Sequence, residues 1–429
     1  MLFPMEMSLK LKVENNMEYD VVVIGGGPAG MMAAISSAQA GAKTVLIEKN
    51  PKLGVKLLLT GGGRCNLTHI ENDRDFCSKF GKEGDFLLSS LSFFGVEETM
   101  EFFESFGLEL KEENRKVYPV SEKAKDVLNV LISILKKKKV DIIFSSEVKD
   151  IKMDEKGISF VLLSNKKEIK GKNYIFSVGG KSYPVTGSTG EAFNLIKKIG
   201  HKVSDLKPAL TPIETKEEWT KNLQGISLDN VSVSLMQNGK RIKEEKGEIL
   251  FTHFGLSGPL ILNMSRFIGD LLVKGRVKIV LDLFGGKSID EADNYLQRVF
   301  NKNRSKHILK CLSDIYTEKL SAFIMNFSGV SLDKKPNYLT KEERGRLVKY
   351  MKGIELSVIG LLGFDRAMAT HGGISLKEID SKTMKSKLIN NLYFAGEAID
   401  LDGPSGGYNL QMCWTTGYVA GQNSASGVK

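Results

Sequence analysis

Residues 19–30 read Tyr-Asp-Val-Val-Val-Ile-Gly-Gly-Gly-Pro-Ala-Gly, and what flanks them decides the fold. Residues 21–24 are a short β-branched run, and Gly25, Gly27 and Gly30 follow it at once in G-x-G-x-x-G register. Good helix formers fill 31–40, Gly41 stops them, and residues 44–47 form a second apolar run ending at Glu48. This predicts one β-α-β unit. The first glycine permits a tight turn, the second lets a diphosphate approach the backbone, and the third lets helix and strand pack closely. Ala29 lies in the same turn, where the helix N-terminus and its unpaired amides favour an anion. Glu48, followed by Lys49, is placed to bond both hydroxyls of an adenosine ribose and to repel a 2′-phosphate. The expected ligand is FAD or NAD rather than NADP.

At 429 residues the chain is long enough for two or three domains. Its four cysteines are scattered without a C-x-x-C, which argues against a disulfide framework or a zinc site and for a reducing cytoplasm. No metal site is expected. Residues 1–18 read as an N-terminal extension without the apolar core of a signal peptide, and Met1, Met5, Met7 and Met17 are alternative starts. No run of about 18 apolar residues predicts a membrane span. The net charge of +10 suits a polyanion as well as an ordinary lysine-rich surface.

Downstream, Thr60-Gly-Gly-Gly-Arg-Cys-Asn66 has more glycine than a linker needs, so backbone at Gly62 and Gly63 is expected to lie flat against a ligand. Arg64 could pair a phosphate or polarise a carbonyl, Asn66 could hold a ring edge, and Cys65 reads as a packing residue. Residues 85–107 predict two helices, 121–139 a third, and 140–147 a strand with Val148 just beyond it. Alternation over 150–170 predicts an antiparallel meander, and the strand at 174–178 runs into Gly179 and a hydroxyl-rich loop containing Tyr183. From 201 the texture becomes short alternating strands, with Leu250–Pro259 read as strand and turn around His253. Residues 287–352 read as polar helices carrying 14 Lys and Arg against 8 Asp and Glu. The α/β texture returns after 353. A strand ending at Gly396 and Glu397 precedes the loop Gly406-Gly407-Tyr408-Asn409-Leu410, which opens another helix.

These motifs, with Gly179-Gly-Lys-Ser-Tyr-Pro184, Phe251-Thr-His-Phe-Gly-Leu-Ser-Gly-Pro259 and Gly406-Gly-Tyr-Asn-Leu-Gln411, resemble the BaiN/YhiN-like bacterial flavoproteins across the chain after residue 17. The resemblance implies an α/β fold: a discontinuous Rossmann-type FAD domain of the glutathione-reductase type with an inserted β-barrel carrying a helical subdomain. On that basis 19–200 is the first part of the FAD domain, 201–286 the first part of the barrel, 287–352 the helical subdomain and 353–429 the return, with the barrel closing within 353–366. It further implies Glu48 on the ribose, the Val148 backbone at the adenine, and the Gly396 and Asn409 region at the isoalloxazine.

The expected activity is reduction of a conjugated C=C bond by hydride from FAD, with NADH or NADPH as reductant and a uridine in ribosomal RNA or a steroid-like enone as substrate. Candidate proton donors are Tyr183, His253 and Tyr408, with Arg64 as carbonyl polariser. An RNA would meet the basic segment 287–352. The alternatives are an oxidase of a small aminoketone such as aminoacetone and a flavin-containing binding protein without turnover.

Overall fold

The computed structural model describes residues 18–426; the expectations for an extension and its alternative starts fall on 1–17, outside them. Two compact units are present, one of residues 18–207 with 369–426 and one of 208–368.

In the first unit β1 (Glu18–Ile24), α1 (Pro28–Gln39) and β2 (Thr44–Ile47) form the β-α-β unit, with β1 and β2 parallel from Val21–Thr44 to Ile24–Ile47. β1 is central because both its faces are covered: Val21, Val22 and Val23 are fully buried. Asp141–Ile143 pairs parallel with β2, and Glu168–Phe176 pairs parallel with β1. Leu392–Phe394, from the chain's return, pairs parallel with 168–176, so one sheet is built from both segments. Val148–Asp154 and Gly157–Leu163 fold antiparallel onto that strand, forming the meander that alternation predicts.

The helix Tyr408–Ser426 begins earlier than the apolar pattern alone suggests and packs parallel to α1. A Cβ on Gly417 would lie 2.4 Å from Ala29 O, and one on Gly421 2.4 Å from Ala33 O. Only glycine permits that approach. Ser37 Oγ donates to Gly421 O at 3.1 Å across the same seam.

In the second unit six antiparallel strands close a barrel in the order Ile213–Thr215, Gly255–Ser257, Lys240–Phe251, Ser227–Gln237, Val277–Asp282 and Ile354–Leu361. The alternating runs near 241 and 250 are one strand. Pro259–Lys274, which begins where the sequence reading ends in a turn, is a helix that buries Leu260, Ile261, Met264 and Ile268. Four helices, Ile289–Lys302, Ile308–Ser313, Glu318–Phe327 and Lys341–Met351, share one apolar cluster with the barrel. Ser288 with Glu291 and Thr340 with Glu343 form capping boxes, which fix where two of them start.

The unit boundaries fall later than the changes of texture at 201 and 353. His201 sits in the first unit, with Nδ1 2.9 Å from Glu378 Oε2, and Ile354–Leu361 completes the barrel. No helix among the described residues is long and apolar enough to cross a membrane.

Candidate functional site

The cradle after β1 has the geometry an anion needs. Gly25 has φ +104°, and a Cβ there would lie 2.5 Å from Ser177 O; one on Gly30 would lie 1.8 Å from Gly25 O. Both positions therefore require glycine for packing. Gly27 is different: a Cβ there meets nothing within 4 Å, so its face is open. α1 starts at Pro28 with no side-chain cap and no acidic residue in its first turn, which leaves the amides of Ala29 and Gly30 without an anionic partner in the helix.

Glu48 is buried at the end of β2, where Oε2 accepts Gly26 N at 2.7 Å and Oε1 accepts Asn50 N at 2.8 Å. Each oxygen keeps a further lone pair, so the carboxylate is aimed yet able to accept from a diol. Lys49 Nζ reaches Thr189 Oγ1 at 3.4 Å and Asn50 Nδ2 donates to Thr186 O at 2.9 Å, fastening the loop after Gly179 to this end. Gly179 has φ +72°. Ser146 N donates to Glu48 O at 3.1 Å, which brings the start of the strand at Val148 to the same edge.

In the loop 57–66 two glycines face open space. Gly62 and Gly63 have φ +65° and +94°, and no atom lies within 4 Å of a Cβ on either. Arg64 is already engaged: Nη2 donates to Glu113 at 2.7 Å and to Glu122 at 2.9 Å, and the guanidinium lies 4.2 Å from the Tyr118 ring centroid. Cys65 is buried, and burial pushes its thiol up to about 12, consistent with packing rather than redox use. Asn66 Oδ1, Thr68 Oγ1 and Gln411 Oε1 are buried and find no hydrogen-bond partner among the described residues. A Cβ on Gly407 would lie 2.5 Å from the Thr68 backbone, so the first turn of helix Tyr408–Ser426 abuts this loop. Orphaned buried oxygens beside a glycine turn fit a polar, hydrogen-bonding ligand edge.

Gly396, with φ +68°, brings the end of strand Leu392–Phe394 against α1, since a Cβ there would lie 2.5 Å from that of Ala29. Glu397 then meets residues that sequence reasoning missed. Oε2 accepts Lys56 Nζ at 2.6 Å, while Oε1 accepts Ser182 Oγ at 3.0 Å and Thr370 N at 2.7 Å. The side chain of Asn409 bonds Gly403 N and O, which locks the loop and leaves the neighbouring turn at Leu410 partly exposed. Because Gly417 faces Ala29 in parallel helices, Tyr408 lies roughly 12 Å ahead of the α1 N-terminus at about 1.5 Å per residue. Two helix starts separated on that scale, neither with an acidic residue in its first turn, suit the two ends of an extended dinucleotide.

The candidate donors fare differently. Tyr408 stacks on His69 at 4.8 Å, and its hydroxyl donates to Glu71 Oε2 at 2.9 Å. Tyr183 is half-buried in the left-handed region, φ +51°, at the head of a short turn. His253 is exposed on the turn between two barrel strands of the other unit. His371 and Asp402 pair at 2.7 Å within the first unit, an association no short-range sequence signal announces. The described residues contain no cluster of three or more His, Cys, Asp or Glu suited to a metal ion.

Residues 19–423 match the family model described as HI0933-like protein Rossmann domain. The chain is 31% identical to the 3-dehydro-bile acid delta(4,6)-reductase of Clostridium scindens, over 94% of this chain and 98% of that protein. It is 28% identical to the ribosomal RNA dihydrouridine synthase of Haemophilus influenzae, over 93% and 96%. The solved 3-ketosteroid delta1-dehydrogenase of Sterolibacterium denitrificans shares the fold with a TM-score of 0.53 at 13% identity, over 96% of this chain and all of that one.

Proposed function

The chain belongs to the HI0933-like family, a family of FAD-type oxidoreductases, and from that premise we propose that it saturates a carbon–carbon double bond conjugated to a carbonyl, with NADH or NADPH as reductant. The observation that carries this reading is the uncapped start of α1 at Pro28 with the aimed carboxylate of Glu48 beside its glycine turn. FAD, when bound, supplies hydride to the substrate. Gly27, Ala29 and Gly30 would hold its diphosphate and Glu48 its ribose, with Lys49 and Val148 at the adenine edge. Gly62, Gly63, Cys65, Asn66, Gly179, Gly396, Glu397, Gly407, Asn409 and Leu410 would hold its other end. Arg64, tied to Glu113 and Glu122, would shape that end rather than touch a carbonyl.

Saturation is favoured because the two relatives' names share it. A bile-acid delta(4,6)-reductase and a dihydrouridine synthase both remove unsaturation next to a carbonyl, although one substrate is a sterol and the other RNA. The test is anaerobic. The purified chain should be yellow, NADH or NADPH should bleach the flavin band, and a conjugated enone or ribosomal RNA should restore it. Bleaching by aminoacetone with no response to either nicotinamide would replace this reading with an amine oxidase. A stable flavin band indifferent to every donor would leave a binding protein.

An RNA substrate is the second reading, supported by helices 287–352 and their excess of 14 basic over 8 acidic residues. Binding through phosphates would weaken steeply as salt rises, whereas an apolar enone would bind almost independently of salt.

A further inference from the structure

We infer that His371 and Asp402 are a proton-handling pair for this reduction, with His371 Nε2 as the atom that gives the substrate its proton and Asp402 as the positioning residue behind it. The inference rests on the reductase reading above. It is carried by how the two residues are held and by what the other donors are already doing.

His371 ends the strand Ala369–His371, and Asp402 begins the loop that runs through Gly403–Gly407 into helix Tyr408–Ser426. Both flanks of His371 are clamped. Before it, Thr370 N donates to Glu397 Oε1 at 2.7 Å, and Thr370 Oγ1 accepts the amides of Lys181 and Ser182 at 2.8 and 3.0 Å. After it, Gly372 has φ +96°, and a Cβ there would lie 2.4 Å from Asp205 O; one on Gly373 would lie 2.7 Å from the Ile399 backbone. The ring therefore has a fixed root. Asp402 is 7% exposed and the His371 side chain 25%, so the carboxylate lies inside and the imidazole opens outward. Nδ1 meets Asp402 Oδ1 at 2.7 Å, and Nε2 has no hydrogen-bond partner among the described residues. A carboxylate that accepts Nδ1–H fixes the tautomer and offsets the positive charge the ring carries while Nε2 is protonated.

Three other polar side chains of the first unit are already engaged. Tyr408 donates its hydroxyl hydrogen bond to Glu71, and burial with that carboxylate pushes the phenol well above its ordinary value. His69 is 3.2 Å from Gly406 O, and burial lowers it. Lys56 is held by Glu397 and Ser182.

Saturating a bond conjugated to a carbonyl adds hydride at the β-carbon and a proton at the α-carbon. The hydride traces to the reduced nicotinamide. The π electrons of the double bond form the new α C–H bond as the Nε2–H bond breaks, and its electron pair stays on nitrogen. The ring is left neutral with Nδ1–H still on Asp402, and water returns the lost proton. Reduced nicotinamide, one proton and the unsaturated substrate become oxidised nicotinamide and the saturated product.

The experiment uses the FAD-loaded full chain as wild type, His371→Gln, His371→Ala and Asp402→Asn. Bleaching by nicotinamide needs no substrate proton, whereas reoxidation by 2-cyclohexen-1-one or ribosomal RNA does. Loss of the general acid should slow single-turnover reoxidation by about 100-fold or more beyond any change in bleaching, with Asp402→Asn slowed less. Nitrogen-15 spectra of wild type across a pH series give a readout independent of turnover: the charged ring of His371 should carry protons on both nitrogens, its neutral form should keep the one on Nδ1, and Asp402→Asn should disturb that tautomer. Reoxidation of both His371 variants at the wild-type rate, or a wild-type ring protonated only on Nε2, overturns the inference and leaves the reductase reading standing. Wild-type protein that bleaches but is reoxidised by neither probe sinks the reductase reading, and this inference with it.

Discussion

The carboxylate of Glu48 accepts the amide of Gly26 at 2.7 Å, tying the end of β2 to the turn that follows β1. One side chain thus shapes the cradle and faces the expected ribose. Glu48→Ala removes an ionised acceptor and leaves the Gly26 and Asn50 amides short of a partner. Hydrogen bonds to charged groups contribute about 1.5–3 kcal/mol, so FAD should bind roughly 10- to 100-fold more weakly. Equilibrium dialysis against FAD measures this; unchanged retention would remove Glu48 from the site.

Lys56 and Glu397 are 2.6 Å apart with side chains 21% and 14% exposed. Lys56→Met leaves that carboxylate with only Ser182 and the Thr370 amide. A fully buried pair broken in this way costs about 3–5 kcal/mol, and partial exposure reduces the expectation to about 1–3 kcal/mol. Urea denaturation of the two proteins reads the difference, and an unshifted midpoint contradicts it.

Gly417 is expected to tolerate no side chain. In Gly417→Ala the added methyl would lie 2.4 Å from Ala29 O, a backbone atom that moves only if α1 moves. Overpacking of this kind costs about 1–3 kcal/mol. It should also weaken FAD binding, because α1 carries the cradle. Gly62→Ala meets no atom and has only a φ of +65° to accommodate, so its effect on folding should be the smaller.

His201 gives the protein a pH dependence. Its side chain is fully buried, with Glu378 and Ser386 on its two nitrogens, and burial outweighs the carboxylate to lower its pKa from 6.5. The unfolded chain therefore binds a proton more readily than the folded one. The contribution is fully present above pH 6.5 and is lost as pH falls through the lower folded value. Thermal melts of wild type and His201→Gln should show a difference that shrinks with acidification. A difference that grows would reverse the assigned direction.

How much of this was legible in the sequence depended on distance along the chain. The β-α-β unit was legible because its strand, turn, helix and acidic residue are contiguous, and each leaves its own period or punctuation. Gly406–Leu410 was legible as a glycine turn for the same reason. Lys56 meets Glu397 only when the return segment joins the sheet, and His371 and Asp402 are 31 residues apart within that segment, so neither pairing has a local signature. Pro259–Lys274 misled because Gly258-Pro259 is ordinary turn chemistry, whereas here Gly258 at φ +94° launches a helix with proline at its first position. The donors first picked out, Tyr183, His253 and Tyr408, stand out by residue type beside glycine or proline loops; the fold ties the Tyr408 hydroxyl to Glu71 and places His253 on an exposed turn.

The seam between α1 and helix Tyr408–Ser426 also sets a timetable. A ribosome moving at about 5–20 residues per second needs roughly 20–80 seconds between making the two helices. Throughout that interval the buried faces of Ala29, Ala33 and Ser37 have no mate, and the strand that must lie beside 168–176 does not yet exist. The nascent chain therefore carries these unpaired faces until late in its synthesis, and the seam can close only once residues 408–426 have been made.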